Sequence, residues 1–170
     1  MVSRDRRPSP AAVAAAVPDP ELPMVTLADL GILRSVQSRG DEVTVTITPT
    51  YSGCPAMREM SRDLEHSLHR AGYLQVRIRT ELSPPWSSDW ITADGRRKLA
   101  EAGIAPPNPV PTRATGGPIP LSLEPRGPVV ECPRCRSPRT LQLSAFSGTA
   151  CKALYRCQDC AEPFEYVKEI

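Results

Sequence analysis

The chain has 170 residues, enough for one ordinary domain or two small ones, and its 20 prolines beside two Trp, four Tyr and two Phe argue against one large packed core. Its 21 basic and 19 acidic residues balance in both halves: residues 1–105 carry 13 of each sign, and residues 129–170 carry six basic and five acidic groups. That balance excludes a general nucleic-acid-binding surface, and no apolar run approaches the length of a membrane span.

At the start, arginines precede alanines, as in a signal peptide. The apolar part is only seven residues of mostly Ala, and P-D-P-E follows with no cleavage pattern. A short helix is expected instead, with Ser9 as its cap and Pro10 in its first position. The chain is therefore read as cytoplasmic, where its six cysteines point to metal or redox chemistry rather than to disulfides.

Three prolines within Val17–Pro23 exclude a helix or a central strand, leaving a stiff loop that presents Asp19 and Glu21. That loop is either a solvated turn or an acidic lip beside a thiol site. Leu27–Gly31 reads as one helical turn closed by glycine, Ile32–Ser38 as a strand, and Arg39–Asp41 as a hairpin turn. Val43, Val45 and Ile47 alternate with Thr44, Thr46 and Thr48, the pattern of a strand with one buried face.

Then comes T-P-T-Y-S-G-C-P, with the single thiol of the first hundred residues, Cys54. Met57, Met60, Leu64, Leu68 and Ala71 recur at helical spacing, so a helix is expected over Pro55–Ala71 with Cys54 at its N-cap. The helix dipole favours a thiolate there, the form that binds metal or attacks a disulfide. The alternative is a small buried cysteine that only packs. Tyr51 and Ser52 are adjacent candidates for orienting groups. Gly72 ends the helix, and Leu74, Val76 and Ile78 mark a third strand with those side chains on one face.

Both tryptophans fall in S-P-P-W-S-S-D-W, Ser83–Trp90, and a domain so short of aromatics is expected to bury at least one. Thr92 can cap a last helix over Ala93–Ala102, ending at Gly103. The order helix, strand, strand, helix, strand gives an α+β domain with helices layered on a small sheet, assigned to residues 9–105. Residues 106–128 hold eight prolines and are expected to form a linker.

Residues 129–170 contain five of the six cysteines. Cys132-Pro-Arg-Cys135 and Cys157-Gln-Asp-Cys160 are two C-x-x-C knuckles separated by 21 residues. Short strand-like runs cover Thr140–Leu143, Ala153–Arg156 and Phe164–Val167. So small a module lacks the core to fold alone, and four thiolates on one Zn²⁺ supply the missing free energy of a zinc-ribbon-like fold. The competing readings are an iron or iron–sulfur site and dithiol redox chemistry. Cys151 is left over, either a small residue packed beside the zinc or a reactive thiol next to Lys152. His66 and His69 are given no role, and neither a phosphate loop nor a nucleophile elbow occurs.

D-P-E-L-P (Asp19–Pro23), D-L-G-I-L (Asp29–Leu33), T-P-T-Y-S-G-C-P (Thr48–Pro55) and P-P-W-S-S-D-W-I (Pro84–Ile91) resemble, in this order, the SufT-like iron–sulfur assembly domain. With C-P-R-C, A-C-K-A-L-Y-R-C-Q-D-C and E-P-F-E-Y added, the entire chain is similar to the PaaD family. These are small accessory subunits of the phenylacetyl-CoA epoxidase (ring-1,2-epoxidase) system of aerobic phenylacetate degradation. Met57 and Glu169 depart from the family's pattern.

The resemblance implies a non-catalytic factor that matures the epoxidase by delivering an iron–sulfur cluster or iron to its reductase or its oxygenase subunit. By motif match Cys54 becomes the site thiol, with Asp19 and Glu21 as companions. One thiol cannot complete a four-ligand cluster site, which implies a homodimer, a client thiol, or help from Cys151. Two other readings stand beside it: a zinc-ribbon adaptor, supported by Arg134, Arg136 and Arg139, and a structural subunit of the oxygenase.

Overall fold

The computed structural model describes residues 7–51, 53–109 and 129–169. Two units are distinguished, Met1–Lys98 and Leu99–Ile170. Most of the expected linker, from residue 110 to residue 128, lies outside the described residues.

The first unit opens with helix α1 (Pro10–Ala15), whose N-cap Ser9 accepts a hydrogen bond from the Ala12 N–H, as expected. Strands β1 (Leu33–Arg39) and β2 (Glu42–Ile47) pair antiparallel through a tight turn at Gly40, whose φ is +63. Helix α2 (Met57–Arg70) then carries the chain over to β3 (Gln75–Thr80), which lies parallel to β2. Parallel neighbours need such a crossover, because a tight turn can only reverse the chain. β2 is thus the central strand, and its Val43, Val45 and Ile47 are fully buried. In α2, Leu64 and Leu68 are also fully buried, and each stabilises the unit by roughly 1.5–3 kcal/mol through transfer from water.

Two local expectations are corrected. The alternating pattern starts the third strand at Leu74, yet β3 begins at Gln75, Leu74 is 76% exposed, and Tyr73 just before it is buried. The Tyr73 hydroxyl donates to the Pro8 carbonyl, tying the start of the chain to that corner. Thr46 and Thr48 are buried as well, so the second face of β2 is covered at its C-terminal end.

Trp86 is the buried tryptophan, and its Nε1–H donates to the Leu30 carbonyl at 2.9 Å. Trp90 lies half-buried at the end of a short 3₁₀ turn (Ser88–Trp90), with the Arg34 guanidinium 3.6 Å from its ring centroid. Gly31, at φ +68, has no room for a side chain: a Cβ there would come within 2.5 Å of the Trp90 Cβ. Thr92 caps α3 (Ala93–Glu101) by accepting from the Gly95 N–H, and the first unit ends within this helix.

The second unit holds an antiparallel sheet in the order β4 (Thr140–Ser144), β5 (Lys152–Cys157), β6 (Pro163–Val167). Ala105 extends this sheet beside Tyr166, exchanging backbone hydrogen bonds with Glu165 and Val167. Its core is small: Ala105, Val130, Ala153, Tyr155, Phe164 and Tyr166, together with Cys132 and Cys157. Two of its eight core members are cysteines of the knuckles, which ties the packing to whatever the cysteines hold.

Candidate functional site

The two knuckles occupy the turns before β4 and between β5 and β6. All four sulfurs, from Cys132, Cys135, Cys157 and Cys160, lie within 4.8 Å of one another. Cys132 and Cys160 are 3.7 Å apart, Cys135 and Cys157 3.5 Å. A tetrahedral ion with metal–sulfur bonds near 2.3 Å needs sulfur–sulfur separations of about 3.8 Å, so the donor set fits such an ion. Among the described residues this is the one group of three or more Cys, His, Asp or Glu side chains placed to share a metal.

Crowding makes these thiols unequal. The Cys160 N–H points at the Cys157 sulfur and holds that thiol below its ordinary value. The Ser137 N–H favours the Cys135 thiolate, but hydrogen bonding to Cys157, burial and the remaining sulfurs prevail and push its pKa up to about 12. Cys160 is also raised, against the pull of the Glu162 N–H, by burial and by its neighbour Cys157. A cation bound among the sulfurs would favour their thiolate forms, the forms that ligate metal. Four thiolates around a divalent ion leave about two negative charges, which makes the three arginines of the first knuckle useful neighbours. Arg134 is ion-paired with Glu162 and Arg139 with Asp159, and both arginines are 69% exposed.

Cys151 is not part of this cluster. It precedes β5 whereas Cys157 ends it, and six strand steps span roughly 20 Å. Packing beside a metal held by the knuckles is therefore ruled out for it. Its half-buried sulfur lies 3.1 Å from the Thr149 hydroxyl. Its neighbour Lys152 is buried and ion-paired with Glu165 at 2.7 Å, so that ammonium is committed elsewhere.

In the first unit the topology collects the signature segments at one end of the sheet. β1 begins at Leu33 opposite Ile47, the last residue of β2, and the Thr48 N–H donates to Ile32. The Leu27 N–H donates to Val17, which brings the Pro-rich loop to the same end, and the Glu81 N–H donates to Ile47. Cys54 lies in the loop that leaves this end, half-buried, with its N–H on the Tyr51 carbonyl. It is not the N-cap: α2 starts at Met57 with Ala56 as cap, and the Met57 N–H donates to the Cys54 carbonyl. A turn over Cys54–Met57, closed by that bond, occupies the residues expected to open the helix. Ser52 lies outside the described residues.

Asp19 is 4% exposed, and its Oδ1 accepts the N–H groups of Glu21 and Leu22 at 2.9 and 2.8 Å. The carboxylate thereby builds the loop that leaves Glu21 exposed. Below it, Thr26 and Asp29 cap one another reciprocally, and Lys98 reaches the Asp29 carboxylate at 2.8 Å. Sequence reasoning misses Asp29 and Lys98, since nothing in a local pattern pairs residues 69 positions apart.

A family model described as "PaaD zinc beta ribbon domain" matches residues 119–168, and one described as "Iron-sulfur cluster assembly protein" matches residues 12–74. The chain is 41% identical over 157 residues to an Escherichia coli (strain K12) protein named as a subunit of 1,2-phenylacetyl-CoA epoxidase, covering 92% of this chain and 89% of that one. The chain belongs to the PaaD family. This PaaD-family chain thus joins an iron–sulfur-assembly fold to a cysteine-rich zinc ribbon, the α+β arrangement expected from sequence.

Solved structures similar to the chain include a Bacillus anthracis domain of unknown function, DUF59, with 26% identity and a TM-score of 0.49 over 53% of this chain and 87% of that chain. Another is a Mycobacterium tuberculosis protein described as associated with Fe-S complex assembly and repair, with 30% identity and a TM-score of 0.32 over 60% of this chain and 94% of that one. Among the described residues no helix is long and apolar enough to cross a membrane.

Proposed function

We propose that this PaaD-family chain is a non-catalytic maturation factor of the phenylacetyl-CoA epoxidase complex in aerobic phenylacetate catabolism. It assembles or inserts an iron–sulfur cluster or iron into a metal-containing component, acting in the cytoplasm on the reductase or the oxygenase subunit. The observation that carries this reading is the pairing of an iron–sulfur-assembly-type domain with a four-cysteine ribbon in one chain, alongside the name of its relative.

In this proposal Cys132, Cys135, Cys157 and Cys160 hold Zn²⁺, which cross-links the ribbon and leaves the cargo chemistry to the first unit. The cargo is the iron or cluster itself, met by Cys54 on the loop after β2. Asp19 shapes the adjacent loop and sets Glu21 at its surface. Because one thiol cannot enclose a cluster, the remaining ligands come from a second copy, a client thiol or Cys151.

The test is the metal and acid-labile sulfide content of anaerobically purified protein, wild type against Cys54→Ser. Zinc near one per chain is expected in both, with iron or sulfide present after cluster loading in the wild type alone. Equal iron retention in the variant would remove Cys54 from the scheme. The word "subunit" in the relative's name supports a second reading, a stable structural component. Fixed stoichiometry with the oxygenase through purification would favour that reading over transient docking.

A further inference from the structure

The two knuckles repeat one another contact by contact. In the first, the Cys132 N–H donates to the Ser137 carbonyl at 2.9 Å and Arg136 lies at φ 61. In the second, the Cys157 N–H donates to the Glu162 carbonyl at 2.9 Å and Ala161 lies at φ 62. The third residue of each knuckle then reaches the sixth position of the other. Asp159 accepts from the Ser137 hydroxyl, and Arg134 pairs with Glu162 at 3.3 Å.

These two junctions differ in strength. Arg139 adds an ion pair to Asp159, its own N–H donates to the Ser137 hydroxyl at 3.0 Å, and the Gln158 N–H donates to the Arg139 carbonyl at 2.8 Å. That closes a ring of charge-assisted bonds between the knuckles. Among the described residues the opposite junction is a single ion pair, Arg134 to Glu162, with no added hydroxyl or backbone bond. Both arginines are equally exposed, so the bonds through Ser137 and the Arg139 backbone are what separate the two junctions.

Burial is also unequal. Cys132 and Cys157 sit in the core, whereas Cys135 and Cys160 are exposed. The two exposed sulfurs belong to different knuckles, so the contacts between the knuckles set how easily those sulfurs separate.

We infer that Asp159, held by Ser137 and Arg139, is the clasp that sets how fast the four-cysteine site releases its metal. This rests on the reading that those cysteines hold a metal. Ser137 reaches the Cys135 sulfur with its backbone N–H; Asp159, Arg139 and the Ser137 hydroxyl are positioning groups that keep the two knuckles closed. Removing the carboxylate leaves Ser137 and Arg139 without their common partner, while the buried sulfurs and the aromatic core stay in place. Asp159 holds Ser137, the outer partner of Cys135, and disturbing such partners changes metal retention by about 10- to 100-fold.

The test uses the full chain loaded with Co²⁺, whose thiolate charge-transfer absorption reports coordination, and follows its decay under excess EDTA. Asp159→Ala is expected to lose cobalt about 10- to 100-fold faster from an unchanged starting spectrum. Glu162→Ala is expected to stay within about fivefold of the wild type. Arg139→Ala accelerates release, and Arg139→Lys restores part of the retention. Wild-type decay in Asp159→Ala, or faster decay in Glu162→Ala than in Asp159→Ala, overturns the clasp. If Asp159→Ala does not fold, Ser137→Ala decides, with faster release expected and an unchanged rate overturning the inference. A wild-type chain that takes up cobalt without the thiolate band contradicts the metal reading itself, and the clasp falls with it.

Discussion

Asp29 and Lys98, 69 positions apart in the chain, meet at 2.8 Å, and through them the turn before β1 is pinned to α3. Burial alone would raise the Asp29 carboxyl, but the hydrogen bonds from Lys98 and Thr26 outweigh it and hold it below its ordinary value of 3.8. Lys98 is raised in turn by its hydrogen bonds to Asp29 and Asp94. A depressed carboxylate stabilises the fold above its unfolded value and loses that contribution as pH falls through the folded one. Asp29→Asn should therefore cost about 1–2 kcal/mol at pH 7, and the gap to the wild type should close below about pH 4. Urea unfolding of both proteins at pH 7 and pH 3 checks this, and a gap of the same size at both pH values would dissociate the effect from the charge.

Gly31 is expected to tolerate nothing larger. Its φ of +68 disfavours any side chain, and a Cβ would press on the Trp90 Cβ at 2.5 Å and the Trp90 carbonyl oxygen at 2.7 Å. Gly31→Ala should destabilise the first unit by about 2–3 kcal/mol, read as a lower denaturant midpoint with an unchanged slope.

Trp86→Phe removes one N–H and leaves the Leu30 carbonyl without its buried donor. A loss of about 1–3 kcal/mol is expected, with the secondary structure retained by circular dichroism.

Ala161→Gly runs the other way. A non-glycine residue at φ 62 costs about 1–2 kcal/mol, which glycine relieves. The variant should raise the thermal midpoint of the metal-loaded ribbon, and a lowered midpoint would show that the alanine methyl packs where the backbone argument ignores it.

Much of this architecture is legible in the sequence because it depends on local pattern. Val43, Val45 and Ile47 announce the central strand, Leu64 and Leu68 the buried stripe of α2, and the spacing of Cys132, Cys135, Cys157 and Cys160 the ribbon. What escapes depends on residues distant in sequence or on competing local bonds. The start of α2 falls later than its pattern suggests because the Cys54 carbonyl accepts from Met57 in a turn rather than from the residue four positions on, as a helix requires. Leu74 falls outside β3 because an alternating pattern does not say where the strand begins. The clasp is hidden although the two knuckles, C-P-R-C-R-S and C-Q-D-C-A-E, carry opposite charges at their third positions, Arg134 and Asp159. Only the pairing of one knuckle against the other gives those charges a meaning.

The account turns on whether this chain supplies metal to the epoxidase through Cys54. The direct measurement is iron and acid-labile sulfide per subunit in the reductase and oxygenase components, purified from cells that carry the wild-type chain, Cys54→Ser, or no chain. The account predicts that at least one component falls well below full metallation in both altered strains, with Cys54→Ser protein present and folded. Full metallation of every component in cells carrying Cys54→Ser would contradict it.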